Sequence, residues 1–280
     1  MRNGLFGLGF AVITAGCGIS VPNEGAVAEP FWLDGGSADG GSDATVAVPA
    51  DGTDEYFAFW DQTRVLAHNT APIGDEWQPS RTTTIGLLRV HWQGNSGQAW
   101  LVPCAVHSTD IASSTLTYPP DFIDALAEGP LPMQRDGATL TLPAKTQWLG
   151  LPRGYLGDLP AVGDGANPAI IDQDGDGHPG VTIFIHMPFF GDQAIYVVER
   201  QTTAWTAQRN ADGTVVALPQ TTGGKVTVGA TQSLLVTANT DKALDGEPPE
   251  ELRLTPTSGA TGCSALLAAP QQLIGQSWPP

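Results

Sequence analysis

The feature that most constrains this chain is the recurrence of short runs rich in Val, Ile, Thr and aromatic residues, each closed by Gly, Asn, Asp or Pro. The run VTIFIHM at 181–187 shows the pattern. Val181, Ile183, Ile185 and Met187 fall on one side of a period-two repeat, with Thr182 and His186 on the other; Phe184 interrupts that polar side. Alternation of this kind is what a half-buried strand needs, and β-branched and aromatic side chains suit a pleated surface. The same reading predicts strands at 56–68, 82–92, 98–107, 138–142, 181–187, 194–206, 214–218, 225–228, 233–238 and 251–255. WQGNSGQAW at 92–100 and RNADGTV at 209–215 read as hairpins, because Gly and Asn accept the positive φ of tight connections.

One segment reads as a helix. YPPDFIDALAEG at 118–129 has prolines at its start, Asp121 in the first turn, Phe122, Ala125 and Leu126 on one face, and Gly129 as a stop. The expected role is to cover one end of the β structure. Many short strands and one helix point to an all-β fold: a single antiparallel β-barrel, or alternatively a β-sandwich, of about ten strands. With 34 Gly and 23 Pro in 280 residues, the chain stays below the level that marks disorder.

Ahead of the strands the pattern differs. Met1-Arg2-Asn3 is a short positive start, 4–14 is mostly apolar, and Thr14-Ala15-Gly16-Cys17 is a run of small residues ending in cysteine. The apolar run is too short to span a membrane and is flanked like an export signal. From 18 to 54 the chain is rich in Gly, Ala, Ser and Asp, as in DGGSADGGSDA at 34–44, and no Lys or Arg occurs between Arg2 and Arg64. Such a stretch cannot bury enough apolar surface to order itself and reads as a flexible acidic tether. The expected organisation is therefore a signal peptide at 1–17, a tether at 18–54 and a β-rich domain at 55–280.

TAGC resembles the lipobox of bacterial lipoproteins, with Thr14 where Leu is more usual. The resemblance implies that Cys17 is lipidated and becomes the mature N-terminus, anchoring the domain to a membrane; the alternative is an ordinary cleaved signal. Gly18 stands where the inner-membrane retention signal of enteric bacteria has Asp, which implies the outer membrane or cell surface of a Gram-negative bacterium. With Cys17 taken by lipid, Cys104 and Cys263 remain. An oxidising compartment favours their disulfide, and two separately buried thiols are the alternative. Such a bridge would close a loop of about 160 residues, worth at most about 5 kcal/mol in the chain-entropy model. Joining an early strand to the C-terminal segment, it favours the barrel.

The balance of 12 basic against 29 acidic residues argues against nucleic acid and against adsorption to anionic lipid surfaces. Within that acidic background one stretch is ordered in sequence: IIDQDGDGHPGVTI at 170–183 places Asp172, Asp174 and Asp176 at strict alternation, with Gly177 next. Hard oxygen ligands at positions 1, 3 and 5 converge when the backbone curls, and a Ca²⁺ ion turns their repulsion into shared attraction. The stretch resembles the first half of an EF-hand, dockerin or thrombospondin-type calcium loop, which implies the His178 backbone carbonyl as a further ligand at position 7. Position 12, where an EF-hand carries a bidentate Glu, is Ile183, and Pro179-Gly180 ends the loop in a strand. The remaining ligands would come from water or a distant acid such as Asp158, Asp164 or Asp192. A solvated Asp-Gly turn is the alternative.

Catalytic patterns are absent from the sequence. It has no Gly-x-Ser-x-Gly, His-Glu-x-x-His, phosphate-cradling loop or Cys-x-x-Cys. His91, His107 and His186 lie on expected strands and would form a metal cluster only if those strands met. The tryptophans Trp60, Trp92, Trp100, Trp148 and Trp205 read as core filler or as walls of a ligand cavity. The lipobox, the tether, YPPDFIDAL, GDLPAVGDGANPAIIDQDGDGHPGVT and AIYVVERQTTAW together resemble uncharacterised lipoproteins of myxobacteria and related bacteria. That resemblance implies a β-rich domain with a calcium-type loop and no known activity. The expectation is a lipid-anchored, Ca²⁺-stabilised surface protein that binds a glycan, an apolar ligand or a protein partner. The alternative is a metal-dependent hydrolase built around the acidic loop.

Overall fold

The computed structural model describes residues 52–69, 76–110, 114–188, 190–236 and 241–279. The signal peptide, Cys17 and nearly all of the expected tether lie outside the described residues. In chain order the elements are β1 (Thr53–Asn69), β2 (Glu76–Gln93), β3 (Ser96–Ser108), β4 (Thr115–Thr117), α1 (Pro120–Ala125), β5 (Glu128–Asp136), β6 (Thr139–Leu149), β7 (Val181–Met187), β8 (Gly191–Gln208), β9 (Val215–Ala217), β10 (Gln220–Ala230), a 3₁₀ turn at Ser233–Leu235, β11 (Asp241–Ala243), β12 (Glu250–Thr257), α2 (Cys263–Ala268) and α3 (Pro270–Leu273).

All strand pairs are antiparallel, in the order β4-β7-β8-β6-β5-β3-β2-β1-β12-β9, with β10 on β8 and β11 on β1. The fold is all-β, as the alternation predicts. The barrel is not closed. Beyond β8 the chain meets the start of β9 in one isolated bridge, Arg209 with Val215, and among the described residues no strand ladder seals the gap. The sandwich-like alternative describes the open, strongly curled sheet better. Among the described residues, twelve strands replace the expected ten or so, and three short α-helices replace the one.

The departures have local causes. The helix is only Pro120–Ala125, because Glu128 already enters β5. That strand was hidden by Pro130 and Pro132, which cannot donate to a ladder. It tolerates them because the proline-bearing half pairs with β3 alone, while pairing with β6 begins at Gln134. The strand expected at 233–238 is the 3₁₀ turn Ser233–Leu235, with Leu235 buried; 237 and 238 lie outside the described residues. β4 and β11, three residues each, are too short to show alternation.

The β2–β3 hairpin is the one that Gly94-Asn95 predicts: Gln93 pairs with Ser96, and Gly94 turns with φ +61°. The disulfide Cys104–Cys263 is formed. It ties α2 to β3, and Cys263, Leu266 and Ile274 pack with Ala58, Trp60, Ile85 and Leu87 on one face of β1 and β2. The opposite face of those strands points to the interior. There Phe57, Phe59, Leu88, Val90, Leu131, Leu140, Trp205 and Leu254 form one apolar core. A second core gathers Phe122 of α1 and Leu126 just after it with Val181, Ile183, Ile185 and Met187 of β7. Full burial of such side chains contributes roughly 1.5–3 kcal/mol each.

The long strand β8 organises the rest. Strand β10 takes one of its edges from Ile195 to Ala204. The other edge is shared in tandem, β7 opposite 191–197 and β6 opposite 199–208. Strands β6 and β7 therefore act as one interrupted strand, and residues 150–180 are an excursion from the interruption. Its two ends touch. A Cβ on Gly150 would lie 2.6 Å from Gly180 Cα, and one on Gly180 would lie 2.3 Å from Val197 O. Both glycines also have positive φ, +64° and +92°, so no other residue fits this neck. The excursion folds back over Ala194, Tyr196 and Val198, covering the outer face of β8 with Leu151, Tyr155, Leu159 and Ile170.

Candidate cation-binding loop

The three aspartates sit at the end of this excursion, just before the chain re-enters the sheet at β7. Its closing turn is held by backbone bonds from Ile171 N to Gly150 O, Gly180 N to Ile171 O and Gln173 N to Gly180 O. Gln173 fixes the turn to the rest of the domain. Its Oε1 accepts from Gly150 N at 2.7 Å, and its Nε2 donates to Ala125 O at 3.2 Å.

The alternation of Asp172, Asp174 and Asp176 brings one carboxylate oxygen of each within 4.8 Å of the others. Two oxygens bound to a single Ca²⁺ lie at most about 5 Å apart, so the spacing suits that ion. Backbone N–H groups set the carboxylates in place. Asp172 Oδ1 accepts from Gly175 N at 2.8 Å and Asp176 N at 3.2 Å, and its Oδ2 accepts from Gly177 N at 2.8 Å. Asp176 Oδ1 accepts from His178 N, and Asp174 Oδ2 accepts from Thr182 N at 2.7 Å. Gly175 and Gly177 take φ +72° and +87°, which the curl requires.

Asp174 is the residue that this arrangement leaves unfinished. Its Oδ1 is buried and has no hydrogen-bond partner. Desolvation pushes its carboxyl pKa up, the charges of Asp176 and Asp172 add to the rise, and the Thr182 N–H opposes it. A bound cation would remove both the desolvation cost and the repulsion. A hard, oxygen-only donor set with a buried orphan oxygen fits Ca²⁺.

The His178 ring is engaged in a stack on Tyr196, 4.4 Å between centroids and 12° between planes. Its carbonyl is left as the candidate donor. Ile183, at position 12, is fully buried in the core. Thr182, expected on an exposed face, is buried beside Asp174. Neither Asp164, which accepts from Asn167, nor Asp192, which pairs with His186, joins the triad. Among the described residues, no other group of three metal-binding side chains comes together. The histidines stay apart: His91 pairs with Asp54, His107 meets the edge of Trp278, and His186 pairs with Asp192. Of the five tryptophans, Trp60, Trp92 and Trp205 are buried, Trp205 lining a small cavity, while Trp92 donates to Glu55 and Trp148 to the Tyr155 carbonyl.

A second polar cluster escaped the sequence reading. The inward face of β8 runs Ile195, Val197, Glu199, Gln201, Thr203, Trp205 and Ala207, apolar at both ends and polar in the middle, with every member buried. At the same level stand Asp61 of β1, Glu128 of β5, Lys145 and Gln147 of β6, Thr221 and Lys225 of β10, and Glu250 of β12. This belt separates the two apolar cores. Lys145 Nζ lies 3.1 Å from Glu128 Oε2 with both side chains buried. Burial pushes the Glu128 pKa well up and that of Lys145 well down. Thr221 donates to Glu250 Oε2 at 2.6 Å and shares a bond with Thr203. The signal was present in YVVERQTTAW, where strict alternation puts Glu199 on the same face as Val197 and Trp205.

A cavity of about 30 Å³ lies against the belt, lined by apolar side chains apart from Asp61, Thr203 and Glu250. None of its lining comes from the acidic loop. No protein-family model, curated protein or solved structure matches the chain.

Proposed function

We propose that the protein is an exported lipoprotein, anchored through Cys17 to the outer membrane or cell surface, whose β domain is stabilised by Ca²⁺ at the Asp172–Asp176 loop. It works as a non-catalytic binding or structural protein that presents the domain to a glycan, an apolar ligand or a protein partner. The observation that carries the metal reading is Asp174 Oδ1, a buried oxygen without a partner beside two converging carboxylates. Asp172, Asp174 and Asp176 would hold the ion, with the His178 carbonyl and water completing the shell. Bound there, Ca²⁺ would supply charge neutralisation at the neck of the excursion. The hydrolase alternative finds no nucleophile paired with a base beside the triad among the described residues.

Calorimetric titration of the protein with Ca²⁺ tests the reading, with binding expected in the weak range of extracellular modules, roughly 10⁻⁴–10⁻³ M. Absence of heat, together with an unchanged melting curve at millimolar Ca²⁺, would refute it. The anchor has its own test. Radioactive palmitate fed to an expressing Gram-negative host should label the chain and fail to label Cys17→Ala.

A further inference from the structure

The belt poses a problem that pairing does not solve. Asp61, Glu128, Glu199 and Glu250 meet Lys145 and Lys225 inside the curled sheet, and Asp241 of β11 stands at its rim. One acid is matched by Lys145, which lies on Glu128. Lys225 of β10 is register-paired with Glu199 of β8 and also feels Asp241. Arg153 acts on Glu128 from the excursion. The remaining inward neighbours, Gln147, Gln201, Thr203 and Thr221, are neutral. Carboxyls therefore outnumber the cations that face them, and three oxygens of the belt, Asp61 Oδ1, Glu199 Oε1 and Gln201 Oε1, are buried without partners.

Neither a cation nor a small organic ligand resolves this. The cavity beside Asp61 and Glu250 has room for about two water molecules and no more. Its polar lining is two carboxyls and a hydroxyl, and Glu250 Oε2 and Thr203 Oγ1 are already engaged with Thr221. A metal ion would lack most of its shell there. A proton needs no shell.

We propose that Asp61, Glu199 and Glu250 form a buried carboxyl cluster that holds protons in the folded protein at neutral pH, making the domain more stable in mild acid than in mild alkali. Several shifts agree with the geometry. Burial pushes Glu199 up to about 8, with Glu250 adding to the rise and Lys225 opposing it. Burial pushes Glu250 up to about 7, against the Thr221 hydrogen bond and Lys145. Asp61 is driven upward by burial and then by Glu250.

The sign follows from linkage. A carboxyl whose folded pKa is raised favours folding fully below its unfolded pKa and loses that contribution as pH climbs through the folded value. For Glu199 and Glu250 the loss runs from the ordinary carboxylate range near 4.5 up to about 8 and about 7. The lowered lysines act in the opposite direction, but Lys145 is shared between Glu128 and Glu250 and Lys225 acts on Glu199, so two lysines face four acids. Within the window each uncompensated carboxyl changes the unfolding equilibrium up to about tenfold per pH unit.

The test is the melting temperature of the full chain at about pH 5.5 and about pH 8, with chelator in both arms so that the acidic loop is metal-free. The expected result is a Tm lower by about 5 °C or more at the higher pH. Glu199→Gln, which mimics the protonated acid, should flatten the dependence, and Asp61→Asn serves the same purpose if that variant does not fold. Infrared spectra of the unmodified protein at neutral pH should show a protonated carboxyl band that persists in water-exchanged samples. A Tm equal or higher at the alkaline pH, a slope unchanged in the folded variant, or no such band would overturn the proposal. Because the metal is chelated throughout, these outcomes are separate from success or failure of the calcium reading.

Discussion

The acidic loop and the interior belt both gather carboxyl groups, but they neutralise them in different ways. At the loop, three aspartates lie close together near solvent, and five backbone N–H groups around the turn point their dipoles at them. Water and a divalent ion remain accessible. In the belt the surrounding sheet removes water, and side chains must be matched by a lysine, by a threonine hydroxyl or by a proton. Burial of an uncompensated charge costs so much that the group changes its protonation state instead. Position relative to solvent thus sets which means of neutralisation is open to a carboxyl: backbone dipoles, water and ions at the loop, and a matched side chain or a proton in the belt.

The comparison breaks most readily at its strongest pair. Replacing Lys145 with Ala leaves Glu128 buried without its ammonium partner, and removal of one member of a buried pair costs about 3–5 kcal/mol. Urea denaturation should show that loss at neutral pH, with part of it recovered in mild acid as Glu128 takes a proton. An equally large loss in acid would show that packing of the lysine stem, and not its charge, holds the belt together. A smaller effect is expected where the two regions are linked. Gln173→Ala removes the acceptor for Gly150 N and the donor to Ala125 O, which should cost about 1–3 kcal/mol. The same variant should weaken the calcium response, since Gln173 sits between Asp172 and Asp174. Full calcium affinity in that variant would mean that the loop folds independently of the neck.

The all-β class and much of its strand list were legible because alternation is strong wherever one face is buried. The run at 181–187 is β7 to the residue, with Val181, Ile183, Ile185 and Met187 inside. Legibility failed where a neighbour changed the meaning of a position. Alternation puts Thr182 on the polar side of β7, yet it is buried, because the fold-back of the excursion cannot be seen locally. Pro130 and Pro132 concealed β5 because the side from which a strand pairs is a tertiary property. Closure was beyond reach for a similar reason: the Cys104–Cys263 bridge turned out to bind a helical strap onto one sheet face and not to seal a barrel. The aspartate triad was legible because its three carboxylates alternate within one five-residue stretch. The belt was not, since Asp61, Lys145, Glu199 and Glu250 come from four strands and meet only through their register.

The loop itself predicts a reversal of sign. Asp174→Asn keeps an oxygen to accept from Thr182 N but removes the charge that desolvation and Asp176 oppose. Without metal the variant should be as stable as the parent or slightly more so. With Ca²⁺ at about ten times the dissociation constant, the parent should gain about 1.4 kcal/mol and the variant much less, so the two melting curves cross as the ion is added. Curves that move in parallel would mean that Asp174 is no ligand, and the orphan oxygen would then need another account.

The smallest effect belongs to Asp192, an exposed acid at the far end of the β7–β8 hairpin from the loop. Asp192 bonds His186 at 2.7 Å, but both side chains are mostly in solvent, 83% and 58% exposed. Surface pairs of this kind contribute about 0–1 kcal/mol. Asp192→Asn should therefore leave the melting temperature and the calcium titration within error of the parent. A clear fall in calcium affinity would place Asp192 in the ion's outer shell, which the His186 pairing argues against. A clear fall in stability would mean that the β7–β8 hairpin carries more of the fold than its exposure suggests. Either result would blur the division between solvated and buried carboxyls, and a null result would sharpen it.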